Sequence, residues 1–203
     1  MKLGKMKHRG TIMCDIDGVL ADWETPMCDA FGYQNRHMYS PYDRYPEVSR
    51  ELIAEFIENP YNYEDLEPIF GGILFCHQAK ARGWYVLLCT SRPYHIGVFD
   101  MTTKWLDKYR VEYDKLIFAS KKADAILDFN EKNPDKEVRI AVDDSVTVLR
   151  AMPTNVYPVA WQQEWNLNYY PSMKYDPTAM KIVLHQAKDD FYPVGAWDIV
   201  GKR

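Results

Sequence analysis

Asp15 and Asp17, one residue apart and followed at once by Gly18, are the residues of this chain best placed to do chemistry. They close an apolar run that begins at Thr11. Two like charges so near each other repel unless a cation lies between them or one of them carries a proton. Either outcome can serve catalysis. A lone Asp-x-Asp-Gly is more often a polar turn with an Asx cap, so the pair needs support from elsewhere in the chain.

Three later segments supply that support. Thr90-Ser91-Arg92 offers hydroxyls and backbone N–H groups suited to phosphate oxygens. Ser120-Lys121-Lys122-Ala123-Asp124 puts an ammonium at the expected start of a helix, where the dipole disfavours a cation unless an anion faces it. Only one of the two adjacent lysines can point inward, and Lys122, which precedes Ala-Asp, is the preferred one. Asp143-Asp144-Ser145 is a second acidic pair. Carboxylates from the first and last of these groups can chelate Mg²⁺, which takes a few oxygen ligands and leaves positions for water and a substrate phosphate. The glycine after Asp17 comes too early for an EF-hand loop.

Positioning these groups requires a sheet whose strands all end on one edge. The run Thr11–Ile16 is too continuously apolar for a half-exposed strand and reads as a strand buried on both faces of a parallel sheet. Alternation along it would turn Asp15 and Asp17 to the same side. Further on, helices near 72–82, 99–109, 122–130 and 146–152 alternate with strands near 84–89, 116–119, 138–142 and 156–160. The expected fold class is therefore α/β, a three-layer Rossmann-like parallel sheet. Residues 22–67 show no such strand but carry a helical pattern at Val48, Leu52, Ile53, Phe56 and Ile57 after a Tyr/Pro-rich segment. They read as a small helical cap inserted after the first strand, leaving 1–21 and 68–203 as the core. The segment after about 161 has no clear periodicity; Trp161, Trp165 and Trp197 are its expected anchors.

Composition narrows the function. With 203 residues the chain can bury a core without staples, and a net charge of −4 gives no general basic surface for coating nucleic acid. Cys14, Cys28, Cys76 and Cys89 have neither disulfide-scaffold nor zinc spacing, so reduced thiols and a cytoplasmic setting are expected. No stretch reads as a membrane span, and the basic opening (Lys2, Lys5, Lys7, Arg9) reads as a solvated tail. The five scattered histidines suggest no metal site. Of the aromatics, 15 Tyr, 6 Trp and 8 Phe, many lie outside the strands and suggest a ring-lined pocket or, equally, packed loops.

Taken together, Asp15-Ile16-Asp17-Gly18-Val19, Thr90-Ser91, Lys122 and Asp143-Asp144 resemble, in order, the motifs of the haloacid dehalogenase superfamily of aspartate-nucleophile phosphohydrolases. Within it, the stretches 17–24, Leu66-Glu67-Pro68-Ile69, Cys89-Thr90-Ser91 and 104–109 are similar to the 5′(3′)-deoxyribonucleotidases, with a longer stretch between Lys122 and Asp143 and an unfamiliar tail. The resemblance implies Asp15 as nucleophile, Asp17 as general acid and base, and Thr90 and Lys122 as charge-neutralising groups. It also implies Mg²⁺ held by Asp15, Asp143 and the Asp17 main-chain carbonyl, with Asp144 behind them. Thr90, Ser91, Arg92 and Lys122 would bind the phosphate. The insertion would select the substrate through rings such as Trp23, Phe31, Tyr33, Tyr42 and Tyr63, of which Trp23 and Tyr42 are the preferred substrate contacts.

The expected substrate is a small phosphomonoester, a nucleoside monophosphate in preference. The first alternative is a nucleic-acid 3′-phosphate end, because Met101-Thr102-Thr103-Lys104-Trp105 and Ala141-Val142-Asp143-Asp144 are also similar to the phosphatase part of polynucleotide kinases, although no Gly-x-x-x-x-Gly-Lys-Ser/Thr is present. A second is a non-catalytic phospholigand-binding module. A homodimer is left open.

Overall fold

A computed structural model describes residues 9–32, 38–167 and 172–173. Six strands form one sheet: β1 (Thr11–Cys14), β2 (Tyr85–Thr90), β3 (Lys115–Phe118), β4 (Val138–Asp143), β5 (Tyr157–Trp161) and the two-residue β6 (Ser172–Met173). Every ladder is parallel and the order is β3-β2-β1-β4-β5-β6. The helices are α1 (Glu24–Phe31), α2 (Pro41–Arg44), α3 (Arg50–Glu58), α4 (Phe70–Ala81), α5 (Ile96–Lys108), α6 (Lys122–Lys132) and α7 (Val146–Arg150).

The central strands are mostly apolar because both faces are covered, the exposed Arg139 of β4 excepted. Ile12, Cys14, Val86, Leu88, Ile140 and Val142 pack with residues of α4 and α5, including Phe75 and Trp105. Met13, Leu87, Cys89 and Ala141 point the other way, toward Ile126 and Phe129 of α6 and Leu149 of α7. Side chains alternating along each strand thus feed two apolar layers. The three-layer α/β architecture expected from the run lengths is what forms. All four cysteines are free and buried. Among the described residues no helix is long and apolar enough to cross a membrane.

The carboxyl ends of β1 and β4 lie side by side, at the place where the strand order reverses. That is the edge where open α/β sheets bind ligands. Between β1 and β2 the chain makes a long excursion through α1, α2, α3 and a 3₁₀ turn at Pro60–Tyr63. Its two stems are joined by backbone hydrogen bonds, Asp22 N to Glu67 O at 2.9 Å and Ile69 N to Leu20 O at 2.7 Å. Gly72 sits where a Cβ would run into the carbonyl oxygen of Val19, so its lack of a side chain lets α4 press against the loop after β1. The excursion has a small core of its own in Met27, Tyr45 and Ile53, flanked by Phe31, Tyr42, Val48 and Phe56. Its third helix covers Leu52, Ile53, Phe56 and Ile57 of the expected helical period, Val48 lying just before it, with Ser49 capping it by accepting from Leu52 N. Tyr33, residues 1–8 and Trp197 lie outside the described residues.

Candidate active site

Extended backbone ends at Cys14, two residues earlier than the apolar run suggests. Asp15 N still donates to Val142 O at 2.9 Å, but the Ile16 carbonyl turns back to accept from Val19, Leu20 and Ala21. Asp15 and Asp17 nevertheless both face the same cleft, and what separates them is the partner each carboxylate takes. The Asp15 carboxylate goes to Lys122, Nζ to Oδ2 2.7 Å, while its Oδ1 accepts from Ile16 N. The Asp17 carboxylate goes to Arg92, which holds its two oxygens at 2.6 and 2.9 Å.

Lys122 opens α6 and is almost wholly buried, whereas Lys121 is exposed. Its ammonium also lies 2.7 Å from Asp143 Oδ2, so one cation joins the ends of β1 and β4. Burial alone would lower the Lys122 pKa, but Asp143 and Asp15 outweigh that cost and hold it well above the ordinary lysine value. Asp143 is further fixed by Ser145 N, which donates to Oδ1 at 2.9 Å. Asp144, the next residue, is buried as well. Gly18 adopts φ 74°, and a Cβ on it would collide with the Asp144 carboxylate. Glycine at this position satisfies both the backbone turn and the approach of the second acidic loop to the first.

Oxygens of Asp15, Asp143 and Asp144 lie within 4.8 Å of one another. Three buried carboxylates cluster beside one ammonium, which pairs with Asp15 and Asp143, and the imbalance is felt: burial, opposed by Lys122, pushes Asp15 up to about 7. Burial and the neighbouring Asp143 and Asp15 likewise raise Asp144 well above the carboxylate range. Hard oxygen donors with uncompensated negative charge fit a divalent cation such as Mg²⁺. The Asp17 carboxylate is not in this group of oxygens, and Arg92 engages it.

Over the acids opens a cleft of about 620 Å³. Asp15, Asp17, Asp144, Ser91 and Arg92 face it from the sheet edge, and Trp23, Tyr63 and Arg44 from the excursion. Trp23 stacks on Tyr63 with ring centroids 4.6 Å apart, and Tyr63 in turn carries the Arg92 guanidinium at 4.4 Å. Thr90 is fully buried beneath the cleft, its hydroxyl accepting from Arg92 N, and does not line it. Tyr42 is a correction to the expected substrate contacts: its ring packs in the excursion's own core and under Arg50, away from the cleft. Phe31 also packs inward, against Tyr45 and Phe56.

Sequence reasoning missed the cleft's far wall. Tyr39, Gln162, Gln163 and Trp165 line it, the last three from the turn that follows β5. The indoles at 161 and 165 were the only legible sign of that turn; its amides follow no period.

No family model matches this chain, and no curated protein sequence matches it. Solved structures do. A Had-superfamily hydrolase from Ehrlichia chaffeensis superposes with TM-score 0.50 at 15% identity, over 90% of this chain and 98% of that one. A predicted phosphatase from Clostridium acetobutylicum gives TM-score 0.52 at 14% identity, over 74% and 83%. A chain of the Pnkp1/Rnl/Hen1 complex gives TM-score 0.49 at 16% identity; 77% of this chain is matched, which spans 47% of that one. The protein has the fold of the haloacid dehalogenase-type hydrolases, as the order of its motifs implied.

Proposed function

We propose that this protein is a Mg²⁺-dependent phosphomonoester hydrolase acting on nucleoside monophosphates. The observation that carries the reading is the convergence of Asp15, Asp143 and Asp144 around Lys122 at the open edge of the sheet. Asp15, Asp143, Asp144 and the Asp17 carbonyl would hold Mg²⁺, whose charge offsets repulsion between an attacking carboxylate and a phosphate. An Asp15 oxygen forms a bond to phosphorus as the bond from phosphorus to the ester oxygen breaks, and Asp17 gives the leaving alkoxide its proton. Asp17 then takes a proton from water, whose oxygen attacks phosphorus; the bond from phosphorus to Asp15 breaks and inorganic phosphate leaves. Lys122 neutralises charge beside the nucleophile throughout.

Arg92 gives this scheme an order of events. With both Asp17 oxygens held by its guanidinium, neither is free to meet a leaving oxygen. A substrate phosphate competes for the same guanidinium, and its arrival frees Asp17 to take from solvent the proton that it then gives to the leaving alkoxide. The stacked rings of Trp23 and Tyr63 beside the cleft support a planar base as the distal part of the substrate.

The test is phosphate release from nucleoside 5′- and 3′-monophosphates with Mg²⁺, run beside a 3′-phosphorylated oligonucleotide. Hydrolysis of mononucleotides, lost on adding excess EDTA, is expected. Activity confined to the oligonucleotide would move the substrate to a nucleic-acid end, and activity on nothing would leave a phospholigand-binding module.

A further inference from the structure

The turn after β5 is tied to both acidic loops through their main-chain carbonyls. Gln163 Nε2 donates to Gly18 O at 2.6 Å. Asn166 Nδ2 donates to Asp144 O at 2.8 Å and to Trp161 O at 2.8 Å. Trp165 Nε1 donates to the same Asp144 carbonyl at 3.2 Å. Asn166 is 2% exposed, and its Oδ1 accepts from Gln163 N at 2.8 Å, so the two amides lock each other in place.

Gly18 and Asp144 approach each other closely only because residue 18 is glycine. They also belong to the two loops that bring the Asp15, Asp143 and Asp144 oxygens within 4.8 Å of one another. A buried carboxylate facing two others turns away unless its backbone is held. Here the backbone is held on both sides of the approach, by donors from one short 3₁₀ turn, Glu164–Asn166, and the residue before it.

We propose that Gln163 and Asn166 are positioning residues that set the spacing of the Asp15 and Asp144 loops and thereby the affinity of the acidic site for a divalent cation. The inference rests on the cation site of the proposed function but not on the substrate or the hydrolytic steps. Trp165 adds a link to the excursion, since its ring lies 5.2 Å from the Arg44 guanidinium and 6.3 Å from the Tyr39 ring.

The experiment measures Mn²⁺ binding to the full chain by electron paramagnetic resonance, with thermal melting in parallel. Gln163→Met keeps the length of the side chain and removes its donor; Asn166→Ala removes the inner amide. Each should weaken Mn²⁺ binding about tenfold, as loss of groups that orient metal ligands does. Asn130→Ala, which removes the acceptor of Val138 N at the far end of β4, serves as the comparison. It should lower the melting temperature and leave Mn²⁺ affinity unchanged. Because Asn166→Ala can fail to fold, Gln163→Met decides. Wild-type affinity in a folded Gln163→Met protein overturns the positioning role alone, whereas absence of Mn²⁺ binding in the wild type overturns the cation site and this inference with it. Normal Mn²⁺ binding weakened by Gln163→Met in a protein that hydrolyses nothing upholds the inference and removes the proposed function.

Discussion

Arg92 grips Asp17 with two nitrogens, at 2.9 and 2.6 Å, and is itself steadied by Thr102, whose hydroxyl accepts from Nη1 at 2.9 Å. A planar guanidinium meeting a carboxylate in this way cannot be replaced by a point charge. Arg92→Lys is expected to lower kcat/KM for a nucleoside monophosphate by ~10²-fold, the scale of losing a charged hydrogen bond or two. Steady-state kinetics checks this; unchanged kcat/KM would remove Arg92 from both phosphate binding and control of Asp17.

Asp15→Asn should abolish turnover while the far-ultraviolet circular dichroism stays that of the wild type. The amide retains an oxygen for Ile16 N but supplies no anionic nucleophile. Phosphate release above one-hundredth of the wild-type rate would exclude Asp15 as the attacking group.

Lys122→Met leaves Asp15 and Asp143 buried without their shared cation. Breaking a buried ion pair from one side costs about 3–5 kcal/mol. Urea unfolding with metal chelated should report a loss of that size, partly recovered when Mg²⁺ is added. A loss below about 1 kcal/mol would mean that water already reaches these carboxylates.

The pH dependence of stability has a defined sign. Asp15 is pushed up to about 7 by burial, from an ordinary value of 3.8, so the folded protein holds this proton more tightly than the unfolded chain. Its contribution is complete below the ordinary value and is lost as pH rises through about 7. Cation-free protein should therefore melt at a lower temperature at pH 8 than at pH 5.5, and the stabilisation given by Mg²⁺ should grow over the same interval. Melting scans with and without EDTA would show it, and a flat profile contradicts it.

Trp23→Ala removes the ring that stacks on Tyr63 at the cleft. If a base rests there, KM for nucleoside monophosphates should rise by about tenfold or more, the scale of base stacking on an aromatic side chain. Hydrolysis of a small aliphatic phosphomonoester should change by less than twofold. Equal loss for both substrates would make Trp23 a packing residue.

Much of this arrangement can be read before folding, and the reason is burial. Met13, Leu87 and Ala141 must be apolar because they face a helix layer, so the strands stand out as runs and their ends locate Asp15, Thr90 and Asp143. Lys122 is distinguishable from Lys121 only by the helix start that follows. Side-chain partners beyond a strand end are another matter: the Ile16 carbonyl turns inward at once, and no period predicts that Asp15 pairs with Lys122 while Asp17 pairs with Arg92. Tyr42 and Trp23 are alike as aromatic letters in a ring-rich insertion, and both pack against the core of Met27, Tyr45 and Ile53; only the folded chain shows that Trp23 also lines the cleft and Tyr42 does not. Gln163 and Asn166 left no mark, because a carboxamide acts through a single hydrogen-bond geometry that has no repeat along the chain.

The two stems at Asp22 and Glu67 meet through their own backbones, so the length of chain between them adds only a slowly growing closure cost. That makes the region between the stems an exchangeable part. A different helical insert, joined at Ala21 and Pro68, would inherit the acids, the lysine and the sheet unchanged while presenting new walls to the substrate. A cleft of new shape could then arise, in evolution or at the bench, by splicing at this junction without rebuilding the acidic cluster.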